Sequence, residues 1–417
     1  MRKTIALFST IFCSIALSAQ QTKVLWIGNS YTGTNNLPSL FYNLALSGGD
    51  TIIFDSNTPG GYTFQGHSTN ATTLQKIAAQ EWDYVVLQAQ SQEPSFPPSQ
   101  VEAQTYPYAR ALDSLIQLSN ACTETVFFMT WGRKYGDSQN CAIYPPICTF
   151  EGMNARLWDS YKAMADDNRG IVSPVGIAWK RSRAADSTIN LWSADNSHPS
   201  AAGSYLSACV FYATLLGKNP VGLSYTAGLT ANEVAFLQQI ARETVQDSLQ
   251  ACNIGRWQPN ADFDYTTNDL AVTFTASSDA AQTYFWDFGD GTQEAGSIAT
   301  HAYASSGSYE VTLFVSDICG NSDTLSQTID LFVANAQNGE TTAWRIFPNP
   351  STRDIMLQAE KPTSFRIEVY GPDGKRLKEF HEFGKLIRLD FGFLAPGMYQ
   401  IHCHSATDSK VFRIVRE

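Results

Sequence analysis

Between about residues 21 and 253, short apolar runs alternate with stretches of helical spacing, and this alternation restricts the fold more than any other feature of the chain. The runs at residues 24–27, 51–55, 84–88, 125–130 and 171–174 are too short for core helices and are expected as strands. Residues 37–47, 69–80, 99–118 and 154–165 repeat apolar positions at helical intervals between them, and 200–216 and 231–251 continue the pattern. Strands separated by helices favour a mainly parallel sheet covered on both faces, because a parallel partner is reached only through a crossover. The first half of the chain is therefore expected to be a three-layer α/β domain.

After Trp257-Gln258-Pro259 the texture changes to short strands set between Gly, Ser and Asp. Residues 272–276, 283–288 and 309–316 alternate outward and inward positions, as sandwich strands do. A second small β unit, with runs at 355–359, 365–370, 386–389 and 398–402, follows a polar linker at 335–342. The expected layout is a signal peptide at 1–19, an α/β domain at 20–255, one all-β sandwich at 258–334, the linker, and another at 343–417. The signal peptide is read from Arg2-Lys3, the apolar run at 5–17 and the small residues Ser18-Ala19. The signal peptide favours a soluble exported protein, and no later run is long enough for a transmembrane helix. A formal net charge of −11 excludes an electrostatic nucleic-acid binder, which needs a basic face.

Chemistry concentrates at two motifs. Ser30 follows the first strand run in Gly28-Asn29-Ser30, at the strand's carboxyl end, where open α/β sheets carry their sites. Far downstream, Asp195-Asn196-Ser197-His198-Pro199 puts a carboxylate three residues before a histidine. Such a carboxylate can hold one ring nitrogen and leave the other free to take a proton from a serine hydroxyl. An Asp ahead of a helical stretch also serves as an N-cap, which is the structural reading of Asp195. The two motifs in this order, at opposite ends of one α/β domain, favour the catalytic reading: Ser30 as nucleophile, His198 as base and Asp195 as its partner.

The first domain resembles the SGNH (GDSL-like) hydrolase superfamily, with its flavodoxin-like three-layer parallel sheet. Gly28-Asn29-Ser30-Tyr31-Thr32 looks like the first block, with Asn29 where many members carry aspartate, and Asp195 to Pro199 looks like the last. The resemblance implies an oxyanion hole made by the Ser30 N–H, by the N–H of Gly61 or Gly60 in Pro59-Gly60-Gly61-Tyr62, and by a third-block amide. Members place an asparagine there. This chain has Leu87-Gln88-Ala89-Gln90-Ser91-Gln92 instead, so Gln90 or Gln88 is the expected donor. The implied activity is hydrolysis of an acyl ester, with an acetylated glycan as a suitable substrate and no metal or organic cofactor. A non-catalytic glycan-binding protein and a lipase are the rival readings.

Residues 284–292 (Tyr-Phe-Trp-Asp-Phe-Gly-Asp-Gly-Thr) resemble a PKD-type Ig-like module. The last unit, opened by Phe347-Pro348-Asn349-Pro350 and closed by Leu394-Ala395-Pro396-Gly397-Met398-Tyr399, resembles the sorting domain of Bacteroidetes type IX secretion. That resemblance implies the type IX machinery as a partner, with export across the outer membrane to a secreted or cell-surface location. His67, in a Gly-rich segment after the second strand, is a candidate substrate contact, and Arg133 is either a solvated loop cation or an anion ligand. Seven cysteines follow the signal peptide, so at least one thiol stays unpaired, and Cys141 and Cys148 flank a loop that a local bridge can close.

Overall fold

The computed structural model describes residues 21–278, 280–331, 344–372, 374–406 and 408–417; the expected signal peptide and linker lie outside them. The chain forms two compact units. The first runs to Ala261 and takes in Ser278–Thr283 and Val315–Asp323; the second holds the remainder.

The first unit is built on five strands: β1 (Thr22–Ile27), β2 (Ile52–Asn57), β3 (Tyr84–Leu87), β4 (Glu124–Phe128) and β5 (Ile171–Ser173). All pair in parallel, in the order β2-β1-β3-β4-β5. Alternate residues of each strand serve opposite layers. Val24, Trp26, Val86, Val126 and Phe128 face one core, with α2 (Leu37–Ser47), α9 (Ala201–Leu216) and α10 (Ala231–Ser248). Leu25, Ile27, Val85, Leu87 and Phe127 face the other, with α6 (Tyr106–Ser119) and α7 (Phe150–Asp167). Helix α9 is buried without interruption from Ala202 to Leu215, as its uniformly apolar sequence requires.

The expected strands all form, and the expected helices form with two differences. The helical stretch at 99–118 is divided into α5 (Pro98–Gln104) and α6, because Pro107 has no N–H to continue the ladder and restricts the residue before it. Helix α8 (Val175–Ala185) was not foreseen. It buries Val175, Ala178, Trp179 and Ser182, a helical stripe hidden in the sequence by Lys180-Arg181 and Arg183. Short helices α1 (Ser30–Gly33), α3 (Phe64–Thr69) and α4 (Ala71–Ile77) follow β1 and β2.

Beyond the α/β part come antiparallel strand pairs. Strands β6 (Phe263–Asn268), β7 (Ala271–Ala276) and β10 (Ile298–Ala302) form one sheet; β8 (Thr283–Asp287), β9 (Gln293–Ala295), β11 (Gly307–Ser316) and β12 (Ser322–Leu331) form a second. Phe263, Phe274, Trp286 and Phe288 pack together as its core. The last five strands, β13 (Trp344–Phe347), β14 (Asp354–Tyr370), β15 (Arg376–Asp390), β16 (Gly397–His404) and β17 (Ser409–Arg416), form one sheet organised on the long β14. The fold class is thus a parallel α/β unit followed by all-β units, as expected.

Two disulfides form, Cys141–Cys148 and Cys122–Cys319, the second spanning 197 residues between two positions of the first unit. Cys209, Cys252 and Cys403 are free and buried.

Candidate active site

The strand order reverses direction at β1, whose neighbours β2 and β3 are reached by successive crossovers to either side. A crevice opens at the carboxyl ends of the strands at such a point. Ser30 stands there, three residues beyond the end of β1. Gly28 makes the turn possible: a Cβ at this position would lie 2.6 Å from Gln88 Oε1 and 2.7 Å from Thr32 Oγ1. Asn29 caps α1, its Oδ1 accepting from the Tyr31 N–H at 3.0 Å, and its Nδ2 donates to the Tyr62 carbonyl at 3.0 Å. The second bond ties the Gly60-Gly61 turn to the nucleophile turn. The aspartate found here in many SGNH proteins has no N–H with which to make it.

The second half of the site is a single turn between Trp192 and Pro199. Asp195 Oδ1 accepts from Ser193 Oγ (2.7 Å), the Ser197 N–H (3.0 Å) and the His198 N–H (2.9 Å). Its Oδ2 lies 2.5 Å from His198 Nδ1, and His198 Nε2 lies 2.8 Å from Ser30 Oγ. The carboxylate can only accept, so Nδ1 carries the ring proton and Nε2 is left to accept from the serine hydroxyl. Burial alone would raise the Asp195 carboxyl, but hydrogen bonds from His198, Ser193 and the Ser197 and His198 N–H groups hold it well below the ordinary range. Helix α9 takes Ser200 as its cap, whose Oγ accepts from Gly203 N at 3.1 Å, so Asp195 is not occupied with capping.

The oxyanion candidates separate by their partners. The Ser30 and Gly61 N–H groups have no hydrogen-bond partner among the described residues, and Gly61 adopts φ +68°, which favours glycine. Gln90 is pinned by its carbonyl oxygen, which accepts from Gln92 N at 2.7 Å and Glu93 N at 3.2 Å; its Nε2 has only a long contact to Ser91 Oγ at 3.5 Å. Gln88 must be corrected. It is fully buried, its Oε1 accepts from Asn29 N (2.9 Å) and Thr32 Oγ1 (3.0 Å), and its Nε2 donates to the Ala89 carbonyl. Its amide supports the nucleophile turn from beneath and faces no substrate.

His67 needs the same correction as a substrate contact. It is fully buried, with Nε2 2.8 Å from the Gly28 carbonyl and Nδ1 2.8 Å from Thr73 Oγ1. Burial pushes its pKa below the ordinary value, partly opposed by the Gly28 bond, so a neutral ring donates from Nε2 to the turn that carries Ser30. Arg133 is neither a solvated cation nor an open anion site. Its guanidinium pairs at 3.1 Å with Asp137, which is fully buried and also accepts from Gln92 Nε2 and Asn140 Nδ2, both at 2.8 Å. Through Gln92, the loop bridged by Cys141–Cys148 is joined to the loop that holds Gln90.

Two family models match the chain after the α/β part. Residues 258–333 match the PKD domain model, and residues 345–417 match the secretion system C-terminal sorting domain. A pre-pro-metalloprotease PrtV of Vibrio cholerae is 39% identical over 82 residues, which is 19% of this chain; the chain spans only 9% of the length of that curated relative. A solved DUF4886 family protein from Bacteroides uniformis is 18% identical with a TM-score of 0.47, over 54% of this chain and 95% of its own. A proposed SGNH hydrolase from Slackia heliotrinireducens is 26% identical with a TM-score of 0.38, over 47% of this chain and all of its own.

The α/β part is a parallel sheet of order β2-β1-β3-β4-β5 with Ser30, His198 and Asp195 hydrogen-bonded in line beyond the carboxyl end of β1. The sorting domain marks the protein for type IX export to the cell surface or beyond. No helix among the described residues is long and apolar enough to cross a membrane.

Proposed function

We propose that this exported hydrolase is a serine esterase, and that its substrate is an O-acyl ester of a carbohydrate. The observation that carries the reading is the hydrogen-bonded line Ser30 Oγ, His198 Nε2, His198 Nδ1, Asp195 Oδ2, at 2.8 and 2.5 Å. Ser30 Oγ attacks the acyl carbon while its proton passes to His198 Nε2, and the carbonyl oxygen becomes an oxyanion. The N–H groups of Ser30 and Gly61 and the Gln90 amide are the donors we assign to it. Their worth lies in being fixed before charge develops, and the two bonds on Gln90 Oε1 supply that fixity to a side chain one methylene longer than asparagine. The tetrahedral intermediate collapses, His198 returns the proton to the departing alcohol oxygen, and the acyl group remains on Ser30. Water, deprotonated by His198, then releases the carboxylate. A carbohydrate alcohol suits an open site: the His198 and Asp195 side chains are 35% and 48% exposed, and Gln90 and Gln92 border the third-block loop. The chemistry requires no metal.

The test is fluorophosphonate labelling of the mature protein together with turnover of short-chain and long-chain chromogenic esters. We expect one label on Ser30, a preference for acetyl over long acyl groups, and loss of about 10³-fold or more in kcat for Ser30→Ala. An unlabelled, inactive protein would leave the glycan-binding reading; a preference for long chains would make it a lipase; activity that survives Ser30→Ala would remove the nucleophile assignment.

A further inference from the structure

The proposed base stands on an irregular turn, held by hydrogen bonds rather than by a helix or strand. Residues 193–198 form no helix or strand, yet Nε2 has to stay on the Ser30 hydroxyl while the ring gains and loses a proton. The residue immediately after the proposed nucleophile ties this turn directly to the Ser30 segment. Tyr31 is buried, and its phenol oxygen lies 2.6 Å from Ser197 Oγ, between Asp195 and His198 in the chain. Its ring meets the His198 imidazole edge-to-face, with centroids 5.3 Å apart. It also stacks on Trp131 at 4.9 Å and 5°, and Trp131 stacks in turn on Trp179 at 3.8 Å and 3°.

Trp131 Nε1 donates to the Ser197 carbonyl at 3.0 Å, and the Lys134 N–H donates to the Asn196 carbonyl at 2.9 Å. Ser197 is therefore held at its hydroxyl by the nucleophile segment and at its carbonyl by the segment after β4. Burial raises the Tyr31 phenol above its ordinary value, despite its hydrogen bonds to Ser197 and Ser91, so it remains a neutral hydroxyl.

We infer that Tyr31 is a positioning residue: its hydroxyl on Ser197, with its ring against His198 and Trp131, sets the Asp195–His198 turn in register with Ser30. The inference rests on the esterase reading. A displacement of about 1 Å in a catalytic group costs on the order of a hundredfold in rate, so loss of one tether is expected to cost about ten- to a hundredfold.

The experiment is a double-mutant cycle of Tyr31→Phe, Ser197→Ala and the pair, in the full mature chain. It is read by the rate of fluorophosphonate labelling and by kcat and KM on a chromogenic acetate. Each single variant should lose about ten- to a hundredfold in kcat and labelling rate with KM within about twofold, and the double variant should be no slower than the slower single. Tyr31→Phe keeps the stacked ring, and Ser197→Ala alters an accessible turn, so either one carries the test if the other fails to fold. Tyr31→Phe within about twofold of wild type, or losses that multiply in the double variant, would overturn the inference. If wild type itself is not labelled, the esterase reading has failed, and that outcome is seen before any variant is compared.

Discussion

Glu93 offers a test of the loop beside the proposed oxyanion donor, because its carboxyl has been taken out of water without compensation. It opens the short turn after β3, and its N–H helps to pin Gln90. Its carboxyl has no hydrogen-bond or ion-pair partner among the described residues, and burial pushes its pKa from 4.5 up to about 7. Below about pH 4.5 the group is protonated in both folded and unfolded chains, and it imposes no penalty. Between 4.5 and about 7 the unfolded chain releases the proton first, so stability falls as pH rises; above about 7 the penalty is constant. A shift of about 2.5 units corresponds to a ceiling of about 3.4 kcal/mol at 1.36 kcal/mol per unit. Partial exposure of the carboxyl reduces this to about 1–2 kcal/mol.

Glu93→Gln removes the titration and keeps the shape. Chemical denaturation of wild type and variant at pH 4.5, 6, 7 and 8 provides the measurement. Tryptophan fluorescence is the probe, since seven of the nine tryptophans precede residue 261. The variant should match wild type at the lowest pH and exceed it by about 1–2 kcal/mol at pH 8. A difference that does not vary with pH, or a variant that is weaker at pH 8, would refute the argument from burial.

Gln90 and the disulfide-closed loop beside it give further tests. Gln90→Ala should lower kcat by about 10²- to 10³-fold with little change in KM, the effect of removing one oxyanion donor, as steady-state kinetics on a chromogenic acetate would show. Gln90→Asn should recover only part of this, because the shorter arm cannot keep both the Gln92 and Glu93 N–H bonds. Replacing Cys141 and Cys148 by serine should destabilise the loop around Asp137 by about 2–3 kcal/mol, seen as faster proteolysis between 136 and 148 with the rest of the fold intact.

The α/β architecture was legible because burial on both faces writes each strand as a bare apolar run, and because helix spacing survives between them. What escaped were elements whose apolar stripe is masked by charge, such as α8, strands as short as β9, and largely exposed strands such as β6 and β12. At the candidate site, Ser30, Asp195 and His198 stood out by their order and local spacing within two short segments, and the structure brings the three side chains together. Gln88 and His67 were misjudged for a common reason. A polar side chain near a catalytic turn can face the crevice or the core, and only the partners it meets from distant segments decide which. Thr32, Asn29 and Gly28 claim both residues, over separations of 39 to 59 positions, and no pattern of neighbours in the chain announces that. Tyr31 was visible only as a member of the first motif; its hold on Ser197 spans 166 positions.

The Cys122–Cys319 bond has a consequence for life outside the cell. It closes a covalent ring around everything from β4 to the end of β11. A single protease cut anywhere within that ring separates no fragment from the molecule while the bond is oxidised, and the segment bearing Ser30 stays joined to the one bearing His198. Among environmental proteases, a protein of this design cut once within the ring remains one molecule, and a second insult, another cut in the ring or reduction of the bond, is needed to part it.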